Sequence, residues 1–340
     1  MNPFAHIRAY RRESIAVSAL CELAPIPITH HNRPVGEENQ IVDPQPLRPQ
    51  FPLAGFFDFF SASSLLLFGR TEFAFLRSLP DSEAQQAVDR LFACHPPAVL
   101  VTHDQPVSPL LEQQAAQYQV ALLTTSLETT TAHALLTDFF AAYFAPYASV
   151  HGSFVDVYGI GILFIGRSGI GKSEIALDLV ERGHRLVADD LVILSRPKKD
   201  IIIGRGTEIS RHFMEIRGLG IVDVRQMFGV RAVRYQKRLE IVVQLEEWSA
   251  DRDYERTGLT LSPISLFDTA VHHVVLPIYP GKNITVIAET IALNYVLKMY
   301  GYDAAQVFAD RQKAAIAQQV QELTSDERRF LTPYFYNDTE

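Results

Sequence analysis

Residues 162–183, ILFIGRSGIGKSEIALDLVERG, decide the fold. From Gly166 to Ser173 the stretch fits G-x-x-x-x-G-K-[S/T]. A short apolar run precedes the glycines, and a helix-like segment follows that ends with Gly183 in the C′ position. Strand, glycine loop and helix together are the context a phosphate-binding loop requires. Gly166, Gly169 and Gly171 permit backbone conformations that aim several N–H groups into one concavity. The helix beginning near Lys172 adds the positive end of its dipole. Gly166, Arg167, Ser168, Gly169, Ile170, Gly171, Lys172 and Ser173 therefore form a candidate nucleotide-phosphate cradle. Lys172 supplies a point charge for the outer phosphates, and Ser173 a hydroxyl for Mg²⁺.

The 340 residues allow two domains, at roughly 150 residues each. A chain of this length buries enough surface to fold without disulfide or metal staples. With 47% apolar and 21% charged residues the composition is that of a globular protein. The net charge of −8 argues against a dedicated nucleic-acid binder, which carries a basic footprint. Two cysteines, Cys21 and Cys94, form neither metal-ligand spacing nor a disulfide framework, and read as reduced thiols. The N-terminus has no signal-peptide apolar run and no stretch nears the ~20 apolar residues of a membrane span. The expectation is a cytoplasmic protein with no membrane and no nucleic-acid partner.

Outward from the loop, "FVDVY" and "ILFI" read as a hairpin turning at Gly159-Ile160-Gly161. Such a hairpin places His151 opposite residue 168 or 169, beside the loop, where it has either a phosphate-contacting or a structural role. "RLVADDLVILS" continues the domain past the loop helix. Its Asp189-Asp190 pair serves either as metal helper and proton acceptor or as a plain turn or cap. A last amphipathic helix runs from about Ile284 to Tyr300 and stops at Gly301, with Ile284, Ile287, Ile291 and Leu297 on one face.

The first third lacks a glycine-rich loop. Residues 24–52 are proline-rich and polar and read as irregular, with His30 and His31 a solvated pair. "SEAQQAVDRLFA" is helical with Asp81 or Ser82 as N-cap. "AVLVT", a helix opened by Ser108 and Pro109, and "VALLTTS" make a β-α-β unit with parallel strands. The fold class is α/β: a small N-terminal α/β domain over 1–130 (irregular over 1–45), a linker helix over 129–148, and a C-terminal P-loop nucleotide-binding domain with a mixed sheet over 149–330.

The chain resembles the bacterial HPr kinase/phosphorylase family. The resemblance rests on residues 150–190, "VHGSFVDVYGIGILFIGRSGIGKSEIALDLVERGHRLVADD", and on "MEIRGLGIVDVRQMFG", "YERTGL" and "LPIYPGKNIT" in the same order; "LAGFFDFF" and "RTEFAFL" extend it from about residue 45. It implies a kinase domain that transfers phosphate from ATP or pyrophosphate to a serine of HPr and reverses the reaction with inorganic phosphate, in the regulation of carbon metabolism. It implies Asp190 as shared acid and base, with His151, Lys172 and Arg256 as further catalytic residues. Ser173 and Glu215 are implied as Mg²⁺ ligands, and a hexamer as the assembly. Met214 to Asp223 match a segment used in both reactions, and Pro277 to Lys282 one used in dephosphorylation. Read without the resemblance, Arg256 is equally a surface ion-pair partner, and Glu215 an ordinary surface carboxylate. The match departs at Arg167, where acidic residues are common, and at Tyr279 and Lys282, where basic residues, typically Arg at the latter, are usual. Lysine keeps the charge but loses the planar fork. A small-molecule phosphotransferase and an ATP-gated switch are the competing readings.

Overall fold

The computed structural model describes residues 2–251, 263–279 and 281–322, so Arg256 and Pro280 lie outside the described residues. The chain divides into two compact units. One comprises 7–148 with 194–202; the other comprises 1–6, 149–193 and 203–340.

In the N-terminal unit, strands β1 (Thr29–His30), β2 (Leu65–Phe68), β3 (Ala98–Val101) and β4 (Ala121–Thr124) form one sheet in the order β1-β4-β3-β2. β2, β3 and β4 are parallel, in register through Leu66↔Val99 and Val99↔Leu122. Helices α1 (Arg70–Ser78), α2 (Asp81–Phe92), α3 (Pro109–Tyr118) and α4 (Thr129–Tyr143) accompany them. The strands are apolar without alternation because both faces are covered. Leu66, Phe68, Val99, Val101 and Leu122 share one core with Val88 and Leu91 of α2 and Leu111 of α3. Leu65, Leu67, Leu100 and Leu123 point the other way, into a core with Ala132, Leu136 and Phe140 of α4. The 129–143 helix, expected as a link, is thus built into the core of this unit.

Ser108 caps α3 as the sequence predicts, its hydroxyl oxygen accepting from the Leu111 N–H at 3.3 Å with Pro109 in the first turn. α2 instead begins at Asp81 itself, after Pro80. The 24–52 segment is irregular but pinned. Asn32 accepts from the Leu122 N–H at 2.8 Å, and Asn39 donates to the Pro97 and Gln119 carbonyls at 3.0 and 2.8 Å. His30 is not solvated as expected. It sits in β1 with its Nε2 3.0 Å from the Val35 carbonyl, and His31 meets Glu112, far away in sequence, at 2.8 Å.

The chain crosses into the second unit within β5 (Tyr147–His151). There β6 (Ser153–Val157), β7 (Ile160–Ile165), α5 (Lys172–Glu181) and β8 (Arg185–Ala188) follow. The chain re-enters the first unit within β9 (Leu191–Lys198) and leaves it within β10 (Ile201–Gly206); the small hairpin β11 (Phe213–Ile216) and β12 (Gly220–Asp223) then belongs to the second. After α6 (Val224–Phe228) lie β13 (Gln236–Arg238), β14 (Ile241–Glu247), β15 (Ile264–Leu266) and β16 (Thr269–Ile278), then α7 (Ile284–Met299) and α8 (Ala304–Glu322). The main sheet runs β8-β6-β7-β14-β16-β15. It is mixed: β7, β14 and β16 are parallel, and β8, β6 and β15 are antiparallel to their neighbours. The N-terminal and C-terminal units are both α/β.

The β6–β7 hairpin turns two residues earlier than its glycines suggest. Val157 pairs with Ile160, so Tyr158-Gly159 is the loop, with φ of 53° and 85°. Two positive φ values are the type I′ geometry that matches strand twist. Gly161 lies inside β7 for a different reason: a Cβ there would sit 2.0 Å from the Arg238 carbonyl oxygen.

α7 also differs from its sequence reading. Ile284 is buried and Ile287 and Ile291 pack against the core, but Leu297 is exposed. Thirteen residues past Ile284 is roughly 220° around the helix, which carries Leu297 off that face. α7 is not the last helix, since α8 follows.

Glu289 fastens α7 to the C-terminal end of α5. Arg182 donates to it twice, at 2.9 and 2.5 Å, and the buried His184 ring lies 3.0 Å away. The Arg182 hydrogen bonds hold the Glu289 carboxyl at about 2, below its ordinary 4.5, against the opposing effect of burial. A depressed folded-state value stabilises the fold above the unfolded value and stops doing so as pH falls from 4.5 toward 2. Glu289→Gln is expected to cost about 2 kcal/mol near neutrality. The gap between wild type and variant in urea unfolding should stay constant above pH 5 and narrow toward pH 3. A gap independent of pH would remove Glu289 as the titrating group.

Candidate active site

The glycine loop leaves the C-terminal end of β7 in the interior of the sheet and enters α5. Ile175, Ala176, Leu179 and Val180 of α5 bury against Val155, Ile162 and Phe164 of the sheet. That packing fixes the N-terminal turn of α5, and with it the loop. Gly166, Gly169 and Gly171 all have positive φ, of 151°, 82° and 99°. A Cβ on Gly166 would lie 2.7 Å from the Leu245 carbonyl oxygen, and one on Gly169 2.7 Å from the Arg217 guanidinium. Conformation calls for glycine at all three positions, and at Gly166, which faces backbone, space does so as well.

A cleft of about 190 Å³ opens over the loop, lined by Ser168, Gly169, Gly171, Lys172 and Ser173. Asp189, Asp190, Glu215 and Arg217 close its other side. Lys172 Nζ donates to the Gly166 and Arg167 carbonyls at 3.2 and 3.1 Å, folded back over its own loop. Ser168 accepts from Arg217 at 3.1 Å. Arg167 pairs with Glu247 at the end of β14, and Ile170 lines a neighbouring cleft.

Asp189-Asp190 form a turn between two strands, as one of the two sequence readings has it. β8 ends at Ala188 and β9 starts at Leu191, with Asp190 at φ 64° between them. A left-handed aspartate is uncommon and clusters at functional sites. The turn sends the two carboxylates to different places. Asp189 is buried; its Oδ1 accepts from the Ser153 hydroxyl at 2.5 Å and from the Ser173 hydroxyl at 3.1 Å. Its Oδ2 is buried with no hydrogen-bond partner among the described residues. Burial pushes the Asp189 carboxyl up, and the two serine hydrogen bonds oppose that shift. Asp190 is 74% exposed and open to a substrate.

His151 reaches this place by a route other than the expected one. The hairpin register ends at Ser153↔Phe164, before position 151 could pair across the hairpin with 168 or 169. His151 belongs to β5, and the Gly152 N–H bonds to the Asp190 carbonyl at 3.0 Å. Its Nδ1 stands 3.5 Å from Asp190 Oδ1. The contact is with the carboxylate, not with the loop.

The structure thus brings Lys172, Ser173, Asp190, Glu215 and His151 together, while Arg256 falls outside the described residues. Three participants escaped the sequence reading: Ser153, Arg217 and, as a buried organiser, Asp189. Only the Asp-Asp pair carried a signal. Ser153 and Arg217 become visible once the strands are placed.

Mg²⁺ fits this residue set. Four carboxylates (Glu174, Asp189, Asp190, Glu215) face two cations (Lys172, Arg217) in a cleft meant for phosphates. Such a ligand is repelled unless more positive charge accompanies it. Ser173 gives its proton to Asp189, leaving its oxygen lone pairs for a cation. Mg²⁺ needs only one or two protein groups beside substrate phosphates and water.

Among known proteins, the family model described as the HPr Serine kinase C-terminal domain matches residues 142–312, and that for the HPr Serine kinase N terminus matches 15–140. A curated HPr kinase/phosphorylase of Chloroherpeton thalassium is 49% identical over 281 residues, 83% of each chain. The Bacillus subtilis HPr kinase/phosphorylase is 40% identical over 264 residues, covering 78% of this chain and 85% of that one. A solved HPr(Ser) kinase/phosphatase from Coxiella burnetii is 31% identical, with a TM-score of 0.42 over 47% of this chain and 97% of its own.

The loop geometry gives an expected outcome. Gly166→Ala should lower the affinity for Mg-ATP at least tenfold in calorimetry and lower the melting temperature, because the new methyl group meets the Leu245 carbonyl. Unchanged affinity and melting would show that the loop relaxes freely.

Proposed function

The chain belongs to the HPr serine kinase family, and on that footing we propose that it phosphorylates a serine of the phosphocarrier protein HPr and removes that phosphate by phosphorolysis. ATP or pyrophosphate is the donor in one direction, and inorganic phosphate the acceptor in the other. The observation that carries this reading is the exposed Asp190 carboxylate in the same cleft as Gly169, Lys172 and Ser173.

A serine hydroxyl is a weak nucleophile at neutral pH and needs a base at the moment its bond to phosphorus forms. Asp190 takes the hydroxyl proton as Oγ bonds to the terminal phosphorus and the donor's bridging P–O bond breaks. ADP leaves when ATP is the donor, and phosphate when pyrophosphate is. In reverse, an oxygen of inorganic phosphate bonds to that phosphorus, the P–Oγ bond breaks, and the proton on Asp190 returns to Oγ. Pyrophosphate leaves. One residue serves both directions by microscopic reversibility.

His151, 3.5 Å from Asp190, orients the carboxylate. Lys172 exchanges its two loop carbonyls for phosphate oxygens. Ser173 and Glu215 would hold Mg²⁺ beside the phosphates, and the ion would supply positive charge to neutralise the transferred group. Arg256 is proposed as a further phosphate contact on the resemblance alone. Catalysis is assigned to the 149–330 domain, and a cytoplasmic hexamer is the proposed assembly. Among the described residues no helix is long and apolar enough to cross a membrane.

Asp190→Asn should lower both phosphate transfer from ATP to HPr and pyrophosphate release from phosphorylated HPr by about 10²–10⁴-fold. ATP affinity in calorimetry should stay within threefold. Transfer at the wild-type rate would remove Asp190 as acid and base.

A further inference from the structure

Ser153 opens β6, and it is buried among the residues that line the phosphate cleft. Its neighbours along the strand, Phe154, Val155 and Val157, are buried apolar groups. A hydroxyl in such surroundings is costly unless it is hydrogen-bonded. Here it donates to Asp189 Oδ1 at 2.5 Å, and the Ser173 hydroxyl donates to the same oxygen at 3.1 Å. The backbone that carries Ser153 is fixed. Ser153 pairs with Phe164 of β7, and the next residue, Phe154, pairs with Leu163 of β7 and Ala188 of β8. On the other side, the Gly152 N–H bonds to the Asp190 carbonyl at 3.0 Å, and a Cβ on Gly152 would lie 2.5 Å from the Phe164 carbonyl oxygen. The sheet therefore holds the Ser153 hydroxyl in place as a donor to Asp189.

We infer that Ser153 is a positioning residue for the metal ligand Ser173, acting through Asp189. The inference rests on the Mg²⁺ reading of the cleft. A serine hydroxyl has one proton and two lone pairs. Ser173 offers its lone pairs to a cation while its proton is given to Asp189, so the direction of that proton matters. One hydrogen bond leaves a carboxylate free to turn about it. A second, from a donor on a different element, fixes the orientation. Asp189 Oδ2 has no hydrogen-bond partner among the described residues, so the second bond is the one Ser153 makes to Oδ1. Without that hydroxyl the buried carboxylate turns, and Ser173 loses the acceptor that orients its proton. Groups that orient a metal ligand from behind set metal affinity without touching the metal.

The test measures ADP affinity by calorimetry on the full chain, once with saturating Mg²⁺ and once in EDTA. Mg²⁺ should strengthen ADP binding by wild type about tenfold or more. Ser153→Ala and Ser153→Val should each cut that enhancement about fivefold, and leave ADP affinity in EDTA within about twofold of wild type. Ser153→Thr has the shape of Ser153→Val but keeps the hydroxyl, and should retain the enhancement within about twofold. The added methyl strains these two alike, and Ser153→Ala carries the test if it prevents their folding. An enhancement unchanged in the Ser153→Ala and Ser153→Val variants, an equal loss in Ser153→Thr, or an equal loss of ADP affinity in EDTA would overturn the positioning role. Wild type that binds ADP equally with and without Mg²⁺ would instead remove the metal reading of the cleft, and the inference with it.

Discussion

Asp189, itself buried, accepts the hydroxyl hydrogens of Ser153 on β6 and of the part-buried Ser173 on α5 at the lining of the cleft. A buried carboxylate is costly unless hydrogen bonds or charge offset its desolvation. Here two hydroxyls offset part of it, and the second oxygen has no partner among the described residues. The arrangement ties an antiparallel strand, the phosphate-loop helix and the β8–β9 turn to one oxygen atom, Asp189 Oδ1. It also sets the role of Ser173, whose proton is spent on Asp189 and whose lone pairs face the cleft.

The same turn separates two adjacent aspartates by environment. Asp189 lies within the protein and organises it, while Asp190, held left-handed, projects into solvent beside His151. A regular strand would also put neighbouring side chains on opposite faces, but it would not break the pairing between the two sheets to which β8 and β9 belong. The break lets one carboxylate serve structure and the other serve chemistry.

α5 is held at both ends by different forces. Its N-terminal end carries the loop and is positioned by apolar packing of Ile175 and Leu179. Its C-terminal end is anchored by the Arg182–Glu289–His184 contacts to α7. α7 in turn begins at the neighbouring cleft, which shares Gly171 and Glu174 with the phosphate cleft, through Ile284 and Thr285. The two clefts therefore share one support, and a change that loosens α7 should be felt in both.

The sequence by itself determined the phosphate loop, the strand before it, the helix after it, and the parallel β-α-β unit of the N-terminal third. Each is a local matter: glycine conformational freedom, capping by Ser108, and short apolar runs with two buried faces. The family-specific stretches also carried Asp190, Lys172, Ser173 and Glu215 to the site. What only the tertiary structure decided depends on groups distant in the chain. The hairpin turned at Tyr158-Gly159 because strand twist favours two positive φ values there, while Gly161 answered to a backbone at Arg238 that no local pattern reveals. Leu297 left the buried face of α7 because a helix rotates past its own partner over thirteen residues. His151 met Asp190 and not the loop, since register counts residues but a side chain follows the strand that carries it. Ser153 and Arg217 gained meaning only when 36 residues to Asp189 and 49 to Ser168 had been closed by folding, because hydrogen bonds act over ångströms in space and leave no period in sequence.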